Sequence, residues 1–256
     1  MSAKATAGKG ARVQPVTLTY HDIVPRADRA GTGFTGPGPD HYKIEPELFL
    51  RHLDAAPTAS FTFDDGGASA LVATAPLLEH RGMTGSFFVV TDRVGTDGFL
   101  DADDLRELRE RGHRVGSHGR SHRPLTKLND DQLRRELAES RAALEELLGV
   151  PVTTLAIPGG FFDDRVGRAA EAAGYTDVYT SEPRSRPRAL GAAVIHPRFS
   201  VVETTTADTV AALARGDRRA IVQARVGWET RKVARRLAGP AYGRMRERLL
   251  ARRRSA

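Results

Sequence analysis

Short strand-like segments alternate with longer helix-like segments along almost the whole chain, and this alternation leaves few folds open. Val16, Leu18 and Tyr20 alternate with Thr17, Thr19 and His21, the period-2 signature of a half-buried strand. Further strands are expected over Ser60–Phe63, Ser86–Val90, Arg114–Gly116, Thr153–Ile157 and Asp177–Thr180, with a last strand pair between Ala193 and Val202. Helices are expected between them: Glu45–Ala55, Ala68–His80, one from Asp101 to near Gly112, one from Asn129 to Gly149, and Asp164–Ala173 with Gly174 as its C-cap. Gln132 completes a capping box with Asn129, and Leu133, Leu137, Leu144, Leu147 and Leu148 fall largely on one helical face. Thr206 reads as the cap of one more helix. Strands alternating with helices imply an α/β fold with a mostly parallel sheet, either a barrel or a doubly wound sheet. A chain of 256 residues suits one large domain or two small ones.

Composition narrows the chemistry. With no cysteine, disulfides and thiolate ligands are excluded, so any metal site must use His, Asp and Glu. Residues 1–14 are small, polar and basic and read as disordered. No signal-like apolar run follows them and no run of about 18 apolar residues occurs anywhere, which leads us to expect a cytoplasmic protein. Charge is unevenly spread: residues 215–256 hold fourteen Lys/Arg and three Asp/Glu, while the rest holds 25 basic and 29 acidic residues. We therefore expect a disordered segment over 1–14, a body over 15–205 and a basic helical extension over 206–256.

Two segments carry the chemical signal. Thr62-Phe63-Asp64-Asp65-Gly66-Gly67 places adjacent carboxylates where a strand ends. The glycines permit an irregular backbone, so both side chains can turn to one site at the C-terminal strand ends. Gly116-Ser117-His118-Gly119-Arg120-Ser121-His122 places two imidazoles four residues apart after another strand. Either segment alone reads equally well as a turn or a solvated loop. Together, one carboxylate and two imidazoles make a three-ligand site with open positions, the layout of a catalytic metal centre, and the second carboxylate is free to act as a base. The long Gly/Pro/Asp-rich loop from Arg26 to Tyr42 also points to a role near a site.

This pattern resembles the polysaccharide deacetylase family, the NodB-homology group of carbohydrate esterases, over roughly residues 16–202. Thr62–Asp65 matches its first motif, and His118 and His122 match the histidines of its second, with Gly119 a mild departure. The resemblance implies a distorted (β/α) barrel of about seven parallel strands and a metal-dependent hydrolase that removes acetyl groups from an N-acetylated saccharide. It further implies Asp64 as general base, and Asp65, His118 and His122 as ligands of zinc or a similar divalent ion. Its third motif corresponds to Ala156-Ile157-Pro158-Gly159-Gly160-Phe161, so Pro158, Gly160 and Phe161 are expected at the substrate. Ala156 stands where the family has an arginine beside the base, and Arg198 is the candidate replacement, orienting Asp64. The family's late histidine, a general acid, has its counterpart in His196. His21, at the end of the first strand in Tyr20-His21-Asp22, is expected near the site with no assigned role.

Two rival readings stand beside this one: hydrolysis of a different amide on the same site, and a degenerate carbohydrate-binding protein, favoured by the missing motif arginine. The basic tail reads either as a helix with a solvated cationic face or as a segment attracted to an anionic membrane surface. No nucleic-acid motif accompanies the charge, so no nucleic-acid partner is expected.

Overall fold

A computed structural model describes residues 15–254, the side chains of 238–244, 246 and 252–254 excepted. The expected disordered segment 1–14 lies outside the described residues. Among them, nine strands form one sheet: β1 (Thr17–Tyr20), β2 (Ser60–Phe63), β3 (Gly85–Val89), β4 (Arg114–Ser117), β5 (Thr154–Ala156), β6 (Asp177–Tyr179), β7 (Arg188–Leu190), β8 (Ala193–His196) and β9 (Phe199–Ser200). The order is β7-β8-β6-β5-β4-β3-β2-β1-β9, and every pairing is parallel except that of β7 with β8. The helices are α1 (Pro37–Asp40), α2 (Pro46–Ala55), α3 (Ala75–Glu79), α4 (Ala102–Glu110), α5 (Asp130–Leu148), α6 (Asp164–Ala172), α7 (Ala207–Ala214) and α8 (Arg218–Arg254). The fold is the expected distorted α/β barrel, built as a curled, parallel-rich sheet.

Capping chemistry sets several of these boundaries. Asp101 and Asp104 form a reciprocal capping box at the start of α4, and Asn129 and Gln132 form one at the start of α5. Asp163 accepts from the Val166 amide and Thr206 from the Thr209 amide. Gly149 ends α5 in the left-handed conformation (φ 65°). The α6 C-cap is Ala173, with Gly174 one residue beyond. The helix expected over 68–80 instead opens as a π-turn over Ala70–Thr74. Pro76 has no amide to donate, and the Ala75 amide reaches back five residues to the Ala70 carbonyl.

The strands present alternating faces. Leu18, Tyr20, Phe61, Phe63, Phe87, Val89, Val115, Leu155, Val178 and Ile195 form the apolar core with Leu133, Leu137, Leu144 and Leu148 of α5, Val166 of α6 and Val210 of α7. The opposite strand face lines the inside of the curl and is more polar. There Thr19 and Thr62 share a hydrogen bond of 3.1 Å.

Two expectations about the last strands are corrected. β8 and β9 do not pair with each other. β8 joins β6, whereas β9 joins β1 at the opposite edge, only Pro197 and Arg198 intervening. The sheet therefore curls far enough for one dipeptide to link its edge strand β9 to β8, the second strand from the other edge. β7 was not foreseen, because Arg188-Ala189-Leu190 is a short, largely exposed edge with no apolar alternation.

Gly116 lies on the inner face, where an added Cβ would meet Thr154 Oγ1 at 2.3 Å and the Phe88 ring at 2.8 Å. Phe88 is fully buried, so it has no free space to enter. Gly116→Ala should lower unfolding free energy by about 1–3 kcal/mol through overpacking, measured by urea denaturation.

Candidate metal centre and active site

The paired carboxylates leave β2 at its C-terminal end. The Asp64 amide continues the ladder to the Tyr20 carbonyl (3.0 Å). Asp65 then takes a positive φ of 79°, followed by Gly66 at 80°. Irregular backbone was expected from the glycines; here the aspartate itself adopts it. A side chain at Gly66 would strike Val89, and one at Gly67 would meet Asp22 Oδ1 at 2.1 Å. Close packing therefore demands both glycines.

The structure brings Asp65, His118 and His122 together, with one potential ligand atom of each within 4.8 Å of the others. Asp65 Oδ1 stands 3.5 Å from His118 Nε2 and 3.2 Å from His122 Nε2. That oxygen is buried with no donor aligned to it, an orphan acceptor pointing into the cluster. His118 Nδ1 lies 2.9 Å from the Ala156 carbonyl. Donation there fixes the tautomer and leaves Nε2 as a free lone pair, as is usual for a metal-binding histidine. Burial, with His122 and Arg198 nearby, pushes His118 down to about 4, although Asp64 and Asp65 oppose the shift. It is neutral and able to ligate at neutral pH. Burial would lower His122, but Asp65 beside it holds it above the ordinary histidine value. Burial would raise the Asp65 carboxyl, yet His21, His122 and His118 hold it far below the usual carboxylate range. A carboxylate and two imidazoles around an orphan oxygen fit a divalent ion of the zinc type.

Asp64 flanks this cluster, its Oδ2 3.9 Å from His118 Nε2. Arg198 grips it with two charge-assisted bonds, Nη1 to Oδ1 at 2.7 Å and Nη2 to Oδ2 at 2.8 Å. The guanidinium is fully buried, donates also to the Thr180 carbonyl and to Thr62 Oγ1, and lies over the Phe88 and Tyr179 rings at 5.6 and 6.0 Å from their centroids. Burial would raise Asp64, but Arg198 and His118 keep it below the ordinary carboxylate value, so it is ionised.

His21 also reaches the cluster. Its Nε2 lies 4.0 Å from Asp65 Oδ2, its ring meets Tyr42 at 4.7 Å, and its Nδ1 is buried with no hydrogen-bond partner. His196 does not reach it. Register pairs His196 with Tyr179 across β6 and β8, and its Nε2 is drawn 2.7 Å from Asp177 Oδ1, two residues back along β6. Its ring stacks on Tyr179 at 4.7 Å. Asp177 lines a cavity of about 510 Å³ with Arg114 and Val152, near the N-terminal strand ends. His196 is thus on the inner face but directed away from the carboxylates.

Pro158 and Gly160 form a 3-10 turn after β5. A Cβ on Gly119 would meet Pro158 at 3.4 Å, which puts Pro158 against the histidine loop. Gly160 (φ 71°) packs on Ser181 too closely for any side chain. Phe161 turns to α8, stacking on Trp228 at 5.1 Å beneath the Arg235 guanidinium.

Other residues hold the site without having been foreseen. Glu136 of α5 is buried and accepts from the Ser121 amide and hydroxyl, bracing the loop just before His122 (φ 61°). A carboxylate on the apolar face between Leu133 and Leu137 was a legible signal. Phe34 stacks on His122 at 4.9 Å, and Asp22 accepts from Thr32 and Ser69 under the Gly67 turn. Phe34 and Tyr42 belong to the long 26–42 loop, which therefore walls the site as its length suggested.

Residues 54–178 match the family model described as polysaccharide deacetylase. A Bacillus subtilis (strain 168) protein, YxkH, is 27% identical over 135 residues, covering 53% of this chain and 48% of that protein. The Bacillus cereus peptidoglycan-N-acetylglucosamine deacetylase is 28% identical over 123 residues, covering 48% and 55% respectively. The chain thus spans about half the length of these relatives. The solved Streptococcus pyogenes deacetylase PplD, in complex with acetate, shares the fold with a TM-score of 0.64 at 17% identity, over 77% of this chain and 96% of that one. The matched segment runs from the end of α2 through β6 and contains both carboxylates and both histidines. Over residues 54–178, just under half of its length, the chain is similar to the polysaccharide deacetylase family.

Proposed function

We propose that this chain hydrolyses the acetamide of an N-acetylated amino-sugar saccharide with the help of a divalent ion, zinc by its donor set. The observation that carries this reading is the convergence of Asp65, His118 and His122 beside a separate carboxylate, Asp64, clamped by Arg198. Asp65, His118 and His122 would hold the ion. Bound there, a divalent ion makes water a nucleophile near neutral pH and polarises the acetamide carbonyl. Asp64 takes the proton of the attacking water. Arg198 fixes the plane of that carboxylate and keeps it ionised, filling the role of the arginine absent at Ala156. The departing amine needs a proton, and His21 is the group positioned to give it: it touches Asp65 and is partly open to solvent. His196, engaged by Asp177, is not. Pro158 and Gly160 shape the wall beside the histidine loop.

Two variants separate the base from the metal ligands. Asp64→Asn should lower acetate release from a soluble N-acetylglucosamine oligomer by about 10²–10⁴-fold, while mass spectrometry finds the wild-type metal content. Asp65→Ala should lose the metal as well as the activity. Full activity in either variant, or no acetate from the zinc-loaded wild type on sugar substrates but turnover of small non-sugar amides, would replace this reading.

His21→Ala is expected to reduce kcat at least about tenfold with metal retained, and His196→Ala to leave kcat within about twofold. The reverse order would restore His196 as the acid.

A further inference from the structure

α8 has two opposed faces between Arg218 and Leu237. On one face Trp228 is buried against Phe161, Ala220, Ile221 and Ala224 pack on the core, and Lys232 approaches Glu182 at 3.9 Å. α8 also packs on α1. Phe161 follows β5, Glu182 follows β6 and α1 follows β1, so the helix lies along the rim at the C-terminal strand ends. That is the end holding the carboxylate and histidine cluster.

The other face is apolar where solvent should meet it. Val222, Val226, Val233 and Leu237 are 58%, 59%, 53% and 82% exposed. At about 100° per residue these four fall within an arc of about 60°, nearly opposite Trp228. Arg218, Arg225 and Arg236 follow along one border of that stripe and Arg219 lies beside it, all exposed, against one acidic residue, Glu229. An apolar stripe bordered by cations on a helix fixed to the body is the arrangement of a helix lying in a lipid interface.

We propose that α8 seats its Val222–Val226–Val233–Leu237 stripe in the surface of an anionic lipid bilayer, holding the rim of the barrel beside that surface. The charge selects this occupant. A second copy would bring the same cationic borders together, and a nucleic acid would give the apolar stripe nothing to bury against. No described helix is long and apolar enough to cross a membrane, so the contact is one of lying on the surface. The inference does not rest on the deacetylase reading.

The full chain is floated with phosphatidylcholine vesicles that contain or lack phosphatidylglycerol. Wild type should float only with the anionic vesicles. The double variant Val226→Asp/Val233→Asp, with unchanged circular dichroism and melting temperature, should bind at least about tenfold more weakly. No flotation of wild type overturns the proposal. So does equal binding by the double variant, which would make the contact purely electrostatic. A dimer in sedimentation velocity that the same variant abolishes would assign the stripe to a second copy and also overturn it.

Discussion

The pair between Arg198 and Asp64 is the interaction on which this architecture turns. A guanidinium with no exposed surface is tolerable only if its charge is met, and here a carboxylate takes both of its prongs while a carbonyl and a hydroxyl take other donors. Removing one partner of such a pair typically costs about 3–5 kcal/mol, because the other is left buried and uncompensated. The pair is also topological. Asp64 follows β2, inside the sheet, whereas Arg198 lies in the two-residue bridge between β8 and β9, which lie towards opposite ends of the strand order. One bidentate contact therefore ties the seam of the curled sheet to the strand that delivers both carboxylates. Fold closure and the state of the candidate base depend on the same two side chains.

The site stores backbone strain in a definite place. Two members of the three-residue cluster, Asp65 and His122, adopt positive φ without being glycine. Such residues cost of order 1–3 kcal/mol each and persist only where their surroundings hold them. Asp65 is held by Gly66 packing on Val89 and by its ionic neighbours. His122 is held by Glu136, which binds the preceding residue twice, and by Phe34 stacked on its ring. The left-handed turns aim each side chain back toward the other, which a regular strand end could not do, since successive side chains there face apart. Preorganisation of the candidate ligand atoms is thus built into the backbone.

Much of this was legible in the residues, and what was not has physical reasons. Helix starts with polar caps, such as Asp101, Asn129 and Thr206, were read correctly because the cap and its amide partner lie within one turn of sequence. The pairing of β9 with β1 was not legible, since nothing local says that a two-residue link will join strands towards opposite ends of the strand order. The cluster of Asp65, His118 and His122 was readable from residue type and from its placement after strands. The residue placed away from the carboxylates is His196. Alternation along β8 correctly predicts that it faces inward, but alternation carries no information about direction along the barrel axis. That direction is chosen by Asp177, and the choice depends on a register between β6 and β8 that no single segment encodes. Glu136 could have been found as a charge on an apolar stripe; Phe34, a lone aromatic in an irregular loop, had no periodic signal.

Ala156 shows how the cation beside Asp64 can come from another position. Its side chain shares the inner face with Tyr179, its register partner, and the Arg198 guanidinium already stands over that ring and over Phe88. A second guanidinium projecting from 156 would enter the same enclosed space, bringing two cations to a single carboxylate in a region of weak screening. The small side chain leaves that space free, while its carbonyl, which any residue would supply, holds His118 Nδ1. The cation beside Asp64 can therefore come from β5 or from the β8–β9 bridge, but not from both. In this chain the bridge provides it, and the same residue that completes the site also fastens the seam.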